Sequence, residues 1–108
     1  MNLPNIGQIG NLPRNAVVET YGLIDSTGPQ AAAFGDVPDG VQNILQTHIS
    51  NQELTVRAAL SGDRHLALQV LLNDPLSSRL TIAQAANMLE DLLEANRQVL
   101  PNFFLNPA

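Results

Sequence analysis

The sequence predicts an α+β fold in which one β-hairpin precedes three helices. Three observations carry that prediction. Residues 1–40 hold six of the seven glycines and four of the seven prolines, so turns and extended chain concentrate there. Within them "AVVETYGLID" (Ala16–Asp25) is rich in β-branched residues and runs into the turn cluster "DSTGPQ". Beyond residue 40, apolar side chains recur at intervals of three and four, the period of an amphipathic helix.

The hairpin is expected to pair about Val17–Ile24 with Gln30–Phe34, and "GDVPDG" marks the boundary behind it. Val41, Ile44, Leu45, His48, Ile49, Gln52, Val56, Ala59 and Leu60 place one helix over 41–61. Asp39 followed by Gln42 has the spacing of a capping box, and Gly62 stands where a helix C′ residue belongs. A second helix, 64–73, takes Asp63 as N-cap and stops before Pro75, which disfavours helix at its preceding residue. Leu66, Ala67, Leu68, Val70, Leu71 and Leu72 leave it hardly any polar face, so it should be buried on all sides. The third helix, 82–99, opens on the capping box Thr81–Gln84 and carries the stripe Ile82, Ala85, Ala86, Leu89, Leu92, Leu93. Pro101 ends it, and 101–108 form a tail that docks or frays. The 108 residues are one domain or fragment: loop and hairpin (1–40), helices (41–100) and tail.

Composition excludes several classes of function. Net charge is −5 and the five positive side chains are scattered arginines, so no basic stripe tracks a nucleic-acid backbone. No apolar run approaches the roughly 18 residues of a membrane span. The amino end lacks the basic and apolar regions of a signal peptide, which makes the cytoplasm the expected location. Without cysteine, thiolate chemistry and Cys-ligated metals are ruled out within this chain. His48 and His65 are 17 residues apart with no ligand spacing between them. His48 reads as a packing or interface histidine, and His65 as a solvated first-turn residue. Glu90, Asp91 and Glu94 crowd a solvent face, while Asp25, Asp36 and Asp39 are turn residues. These residues assemble no active site of their own.

The ordered set "PNIGQIGNLPRNAVVE", "GLIDSTG", "GDVP" and "NQELTVRAALSGDRHLALQVLLNDPL", with a closing amphipathic helix, resembles the C-terminal region of glycoside hydrolase family four. That family comprises NAD- and metal-dependent α-galactosidases, α-glucosidases, α-galacturonidases and 6-phospho-β-glucosidases. The lack of a phosphosugar context favours the α-galactosidase and α-galacturonidase side. The chain departs from the family where Thr20 and Tyr21 follow Glu19, in place of Val-Pro, and where Arg57 replaces an acidic residue.

The resemblance implies an exception to two-carboxylate glycoside hydrolysis. In the family, NAD oxidises the sugar at C3 and a base removes the acidified C2 proton. The leaving group is then eliminated, water adds and hydride returns. A divalent metal, typically manganese, polarises the C3 oxygen and C2 hydroxyl. The family's glycine-rich NAD turn, Cys and His metal ligands and base have no counterpart here. No cofactor is therefore expected in this chain, which is similar only to the last quarter of such an enzyme and should be catalytically incomplete alone.

Two readings of the amino-terminal segment stay open under that resemblance. Asn5, Gly7, Asn11 and Glu19 form the rim of a substrate cleft, with bare backbone at Gly7 and Gly10; or the loop residues only stitch a crossing loop to its own fold, and Glu19, which under the first reading pairs with an arginine of the missing domain, simply faces water. The alternative from another class is a stand-alone structural or oligomerisation module. Surplus apolar surface implies a homodimer in either case, through the face carrying Val41, Ile44, Leu45, His48 and Ile49, unless a missing catalytic domain covers it.

Overall fold

The structure, a computed structural model, describes residues 1–105. The chain divides into two compact units, Met1–Ile49 and a second beginning at Ser50. The division falls inside the helix α1 (Asp39–Ser61), which gives its first half to one unit and its second half to the other. The start of α1 falls in the first unit because Leu45 and Ile49 pack on the core that Val18 of the strands helps to form.

In the first unit, β1 (Asn2–Pro4) pairs antiparallel with β2 (Val17–Glu19), setting Leu3 opposite Val18. A separate hairpin joins β3 (Gly22–Asp25) to β4 (Gly28–Ala31), with Leu23 opposite Gln30 and Ile24 opposite Pro29. Its turn is built locally. Asp25 Oδ1 accepts from the Thr27 amide at 2.7 Å and its hydroxyl at 2.6 Å, and Gly28 takes φ 111°.

The expected single hairpin is therefore corrected. The run 17–24 changes partner at Thr20–Tyr21: Thr20 exchanges backbone bonds with Met1, whereas the Tyr21 carbonyl accepts from Ala32 at 2.9 Å. Phe34, expected in the second strand, instead donates its amide to the Gln8 carbonyl at 2.7 Å. The core of this unit is Ile9, Leu12, Val18 and Val37, with Leu45 and Ile49 of α1 packed against it.

The Asp39–Gln42 capping box does not form. The Pro38 carbonyl accepts from both Val41 and Gln42 amides at 2.9 Å, so the helix has already started at Asp39. The Gln42 side chain reaches instead to the Asn11 carbonyl at 2.7 Å.

The second unit follows its caps. Asp63 accepts from the His65 and Leu66 amides and starts α2 (Arg64–Asn73) where expected. A 3₁₀ turn, Pro75–Arg79, leads to Thr81, whose reciprocal capping box with Gln84 opens α3 (Ile82–Ala95). This helix ends four residues before the expected 99. The Asn96 side chain takes the Leu92 carbonyl at 2.8 Å, and the chain then tightens into turns. Ala85, Leu89 and Leu93 point inward, while Ile82 and Leu92 of the same stripe are exposed.

A short helix, α4 (Asn102–Leu105), shows that the tail docks as far as Leu105; residues 106–108 lie outside the described residues. Phe103 is buried among Ala58, Leu89 and Leu93, with Leu66, Ala67, Leu68 and Leu71 of α2 against the cluster. Asn102 donates to the carbonyls of Ala59 and Leu60, satisfying the end of α1. The expectation that α2 is buried all round does not hold. None of its residues is fully buried and Leu72 is exposed, because α1, α3 and α4 cover one side only.

Gly62 joins α1 to α2 at φ 69°, and a Cβ there would strike the Asn102 carbonyl. Gly62→Ala should therefore lower stability by about 1–3 kcal/mol or more in urea unfolding, the clash with the α4 backbone adding to left-handed strain. Gly40→Ala, at an open helical position with nothing within 4 Å, should be neutral or mildly stabilising.

Candidate functional site

The segment that links β1 to β2 is organised from inside by one side chain. Asn5 is only 1% exposed. Its Nδ2 donates to the carbonyls of Ile9 (2.9 Å), Leu12 (3.0 Å) and Pro13 (3.1 Å). Its Oδ1 accepts from the amides of Gly7 and Ile9, both at 3.2 Å. A carboxamide offers two donors and two acceptor lone pairs, so the three carbonyls share two hydrogens and this set leaves it nothing for a ligand. Gln8, also buried, adds a second brace, donating to the Pro4 carbonyl at 2.9 Å and accepting from the Ile6 amide at 2.8 Å.

The effect is a loop whose polar groups turn inward and whose tip, Ile6–Gly7, turns outward. Gly7 has φ 129°, a left-handed conformation that favours glycine, and nothing lies within 4 Å of where its Cβ would be. Asn11 works like a strand backbone: it donates to the Val37 carbonyl at 2.8 Å and accepts from the Val37 amide at 2.9 Å. Gly10 bonds to the Gly35 carbonyl at 3.1 Å, with Ile9 and Gly35 forming a parallel bridge. Glu19, opposite Asn2 in β2, is exposed.

Of the four rim residues, Gly7 and Glu19 thus face outward, whereas Asn5 is enclosed and Asn11 is bonded to Val37. Gln8 had no sequence signal of its own. A glutamine flanked by Gly7 and Gly10 looks like loop polarity until its two bonds are seen.

The residues nominated for self-association divide between two sides of α1. Val41, Ile44 and His48 are exposed; Leu45 and Ile49 are half-buried against the chain's own core. His65 is exposed at the start of α2. Between α2 and α3 lies an open groove of about 590 Å³ whose lining includes Asp63, Arg64, His65, Asn87 and Glu90.

Two of the three carboxylates of α3 have structural partners. Glu90 pairs with Arg64, and Glu94 pairs with Arg97 at 2.7 Å. Both guanidinium groups lie over the Phe104 ring, at 5.1 Å for Arg64 and 3.9 Å for Arg97. The Arg97 hydrogen bond holds the Glu94 carboxyl below its ordinary pKa and raises that of Arg97. The Thr27 hydroxyl likewise lowers Asp25.

Among the described residues, no three of His, Cys, Asp and Glu gather as a metal would require. The glycine-containing loop leads into β2, not into a helix N-terminus that could cradle a pyrophosphate. Among the described residues, those present fit neither a divalent metal nor the pyrophosphate of a dinucleotide.

The description "Family 4 glycosyl hydrolase C-terminal domain" belongs to the family model that matches residues 1–77. The chain belongs to glycosyl hydrolase family 4. Alpha-galacturonidase of Bacillus subtilis (strain 168) is 40% identical over 98 residues, covering 91% of this chain and 22% of that protein. A 6-phospho-alpha-glucosidase from gut microorganisms, solved with NAD and glucose-6-phosphate, is 26% identical with TM-score 0.82 over 93% of this chain and 22% of its own. A structure described as 6-phospho-alpha-glucosidase from gut microorganisms with NAD and Mn2+ shares the fold at TM-score 0.84 and 24% identity, over 92% of this chain and 22% of its own. The chain spans about a fifth of the length of the family 4 proteins it matches.

The Asn5 brace can be tested directly. Asn5→Asp keeps the shape and removes all three donated bonds, and should cost the first unit about 2–4 kcal/mol. Hydrogen exchange at Gly7, Ile9 and Leu12 should accelerate, with the helical amides of 82–95 unaffected.

The Arg64–Glu90 and Arg97–Glu94 pairs make a second prediction. Glu94 has a folded pKa below its unfolded value, so its contribution is present above the unfolded pKa and is lost as pH falls through the folded one. Docking of α4 should therefore loosen in the acidic range beneath the ordinary carboxylate pKa, followed by exchange at Phe103 and Phe104. Glu94→Gln should flatten that part of the pH profile.

Proposed function

We propose that the chain serves as the C-terminal portion of an NAD- and divalent-metal-dependent glycosidase, shaping a substrate cleft without supplying its chemistry. The observation that supports this reading most is the match of residues 1–77 to the C-terminal domain of family 4 glycosyl hydrolases. NAD and manganese belong, in this reading, to the other part of the enzyme, where they provide the redox step and polarise the sugar. This chain contributes a stiff edge. Asn5 and Gln8 hold the loop from within, so the Ile6–Gly7 tip and Glu19 are offered to the cleft with little conformational freedom left to lose. Asn11 acts one step behind the rim, tying the loop to Val37. An α-linked uronic sugar is the favoured substrate class, on the likeness to alpha-galacturonidase, and the NAD requirement suits a cytoplasmic setting.

A second reading rests on the exposed apolar side chains of α1, Val41, Ile44, Val56 and Leu60. We propose homodimerisation through the outer face of its first half, with Val41, Ile44 and His48 at the contact. Leu45 and Ile49 support that face from the core side.

Two measurements check these readings. The isolated chain should turn over no α-galacturonide, α-galactoside or 6-phosphoglucoside with NAD, Mn2+ and reductant present. Co-expressed with Bacillus subtilis alpha-galacturonidase lacking its own matching segment, it should restore NAD-dependent release of galacturonic acid; turnover by the chain alone would refute the division of labour. For self-association, light scattering at tens of micromolar should give about twice the 11.6 kDa chain mass, with Ile44→Asp reverting it to one chain. A single peak at the chain mass for the unmodified protein would exclude the dimer.

A further inference from the structure

The β3–β4 ribbon carries an arrangement that its own unit does not explain. Tyr21 is 90% exposed, Leu23 76%, Ile24 78% and Phe34 61%. Leu23 and Ile24 are successive strand residues, so they point to opposite faces of the ribbon. Both faces are bare. An isolated two-stranded hairpin is marginal in water and needs a further strand or a packed surface to persist.

The ribbon also lacks the guards of a solvent-exposed sheet edge. Across residues 20–35 the only charged side chain is Asp25, and that sits in the turn bonded to Thr27. Lysines and inward-pointing charges, which normally blunt a free edge, are absent from the segment. At the ribbon's base, Met1, Glu19, Thr20, Tyr21 and Phe34 line a cleft of about 290 Å³. Thr20 is buried, yet its Oγ1 has no hydrogen-bond partner among the described residues. A buried hydroxyl without a partner costs stability unless something supplies one.

We propose that this ribbon is an arm that inserts into the remaining part of the family 4 enzyme, covered on both faces, with a polar group of that part bonding Thr20 Oγ1. The proposal rests on the function proposed above and adds the surface through which the two parts meet. The occupant follows from two observations. Relatives whose structures superpose on 92–93% of this chain devote only 22% of their own length to the match, so nearly four-fifths of such a protein is available to cover it. A second copy related by a two-fold axis presents the same patch and covers one face or one edge, leaving the other face wet. A larger polypeptide can receive both faces and pair the free edges.

Hydrogen exchange resolves this segment by segment. The chain is co-expressed with Bacillus subtilis alpha-galacturonidase lacking its matching C-terminal segment, and the co-purified complex is compared with the free chain. Amides of residues 21–34 should exchange within seconds in the free chain and at least tenfold more slowly in the complex. Leu23→Asp with Ile24→Asp should reduce co-purification at least tenfold while the far-UV helical signal of the free chain is unchanged. Thr20→Val, which removes the hydroxyl at constant shape, should leave the free chain as stable or more so and weaken the complex several-fold. A complex in which 21–34 exchange as in the free chain overturns the proposal, as does failure of any complex to form. Protection that appears in the free chain as its concentration rises also overturns it, since a second copy is then the occupant. Restored turnover without protection of 21–34 sinks the arm and leaves the glycosidase reading standing. Protection without turnover supports the arm and counts against that reading.

Discussion

The loop between β1 and β2 depends on one carboxamide. Residues 5–16 form no regular structure, so their buried backbone groups must find partners elsewhere or pay desolvation. Asn5 supplies five such bonds from a single side chain, spanning from Gly7 to Pro13. With the loop closed in this way, Ile9 and Leu12 are directed into the core and Ile6 and Gly7 away from it. The Asn5 amide bonds to the Ala16 carbonyl, continuing the β1–β2 ladder into the loop, and Asn11 ties its far end to Val37. Remove the carboxamide and both the small core and the outward tip lose their definition together.

That economy matters because the chain has little else to stabilise its first unit. Four fully buried side chains and two half-buried ones make up its core cluster, whereas Tyr21, Leu23, Ile24 and Phe34 contribute almost nothing to it. At roughly 25 cal/mol per Å², leaving several large apolar side chains in water forgoes a driving force comparable to the stability of a small domain. The two ribbons of the unit meet this constraint differently. β1–β2 places Val18 in the core; β3–β4 places nothing there. The second unit shows the same shortage along α2, where no residue is fully enclosed.

The helices were legible in the sequence because their ends are local chemistry. Asp63 two and three residues ahead of the amides it caps, Thr81 facing Gln84 across one turn, and Gly62 in a left-handed conformation are all short-range arrangements. Asp39–Gln42 had the same spacing and failed, since Gln42 has a longer-range competitor in the Asn11 carbonyl, 31 residues away. β1 had no comparable signal. Three residues including a proline read as coil until Val17–Glu19 is brought alongside. The all-round burial expected of α2 went wrong for a related reason: an apolar composition states what a helix can bury, not what is present to bury it. Of the candidate site, the sequence did not tell that Gly7 and Glu19 are exposed while Asn5 is enclosed, and the choice between rim and stitching for Asn5 lay beyond reach. Both need an amide in the same place, and only the five bonds tell them apart.

The two roles also turn out not to compete. A rim that contributes to recognition must be held still, since a floppy edge loses on ordering what it gains in contact. Stitching is how this loop is held. Asn5 and Gln8 face inward so that the residues between them, Ile6 and Gly7, need no bonds of their own to stay in place. The same inward tying is seen among the titratable groups. The three side chains whose pKa is shifted are each held by a turn or an ion pair: Asp25 by Thr27, and Glu94 and Arg97 by each other. Such groups fix position, and a recognition surface is of use only when the residues that carry it are held still.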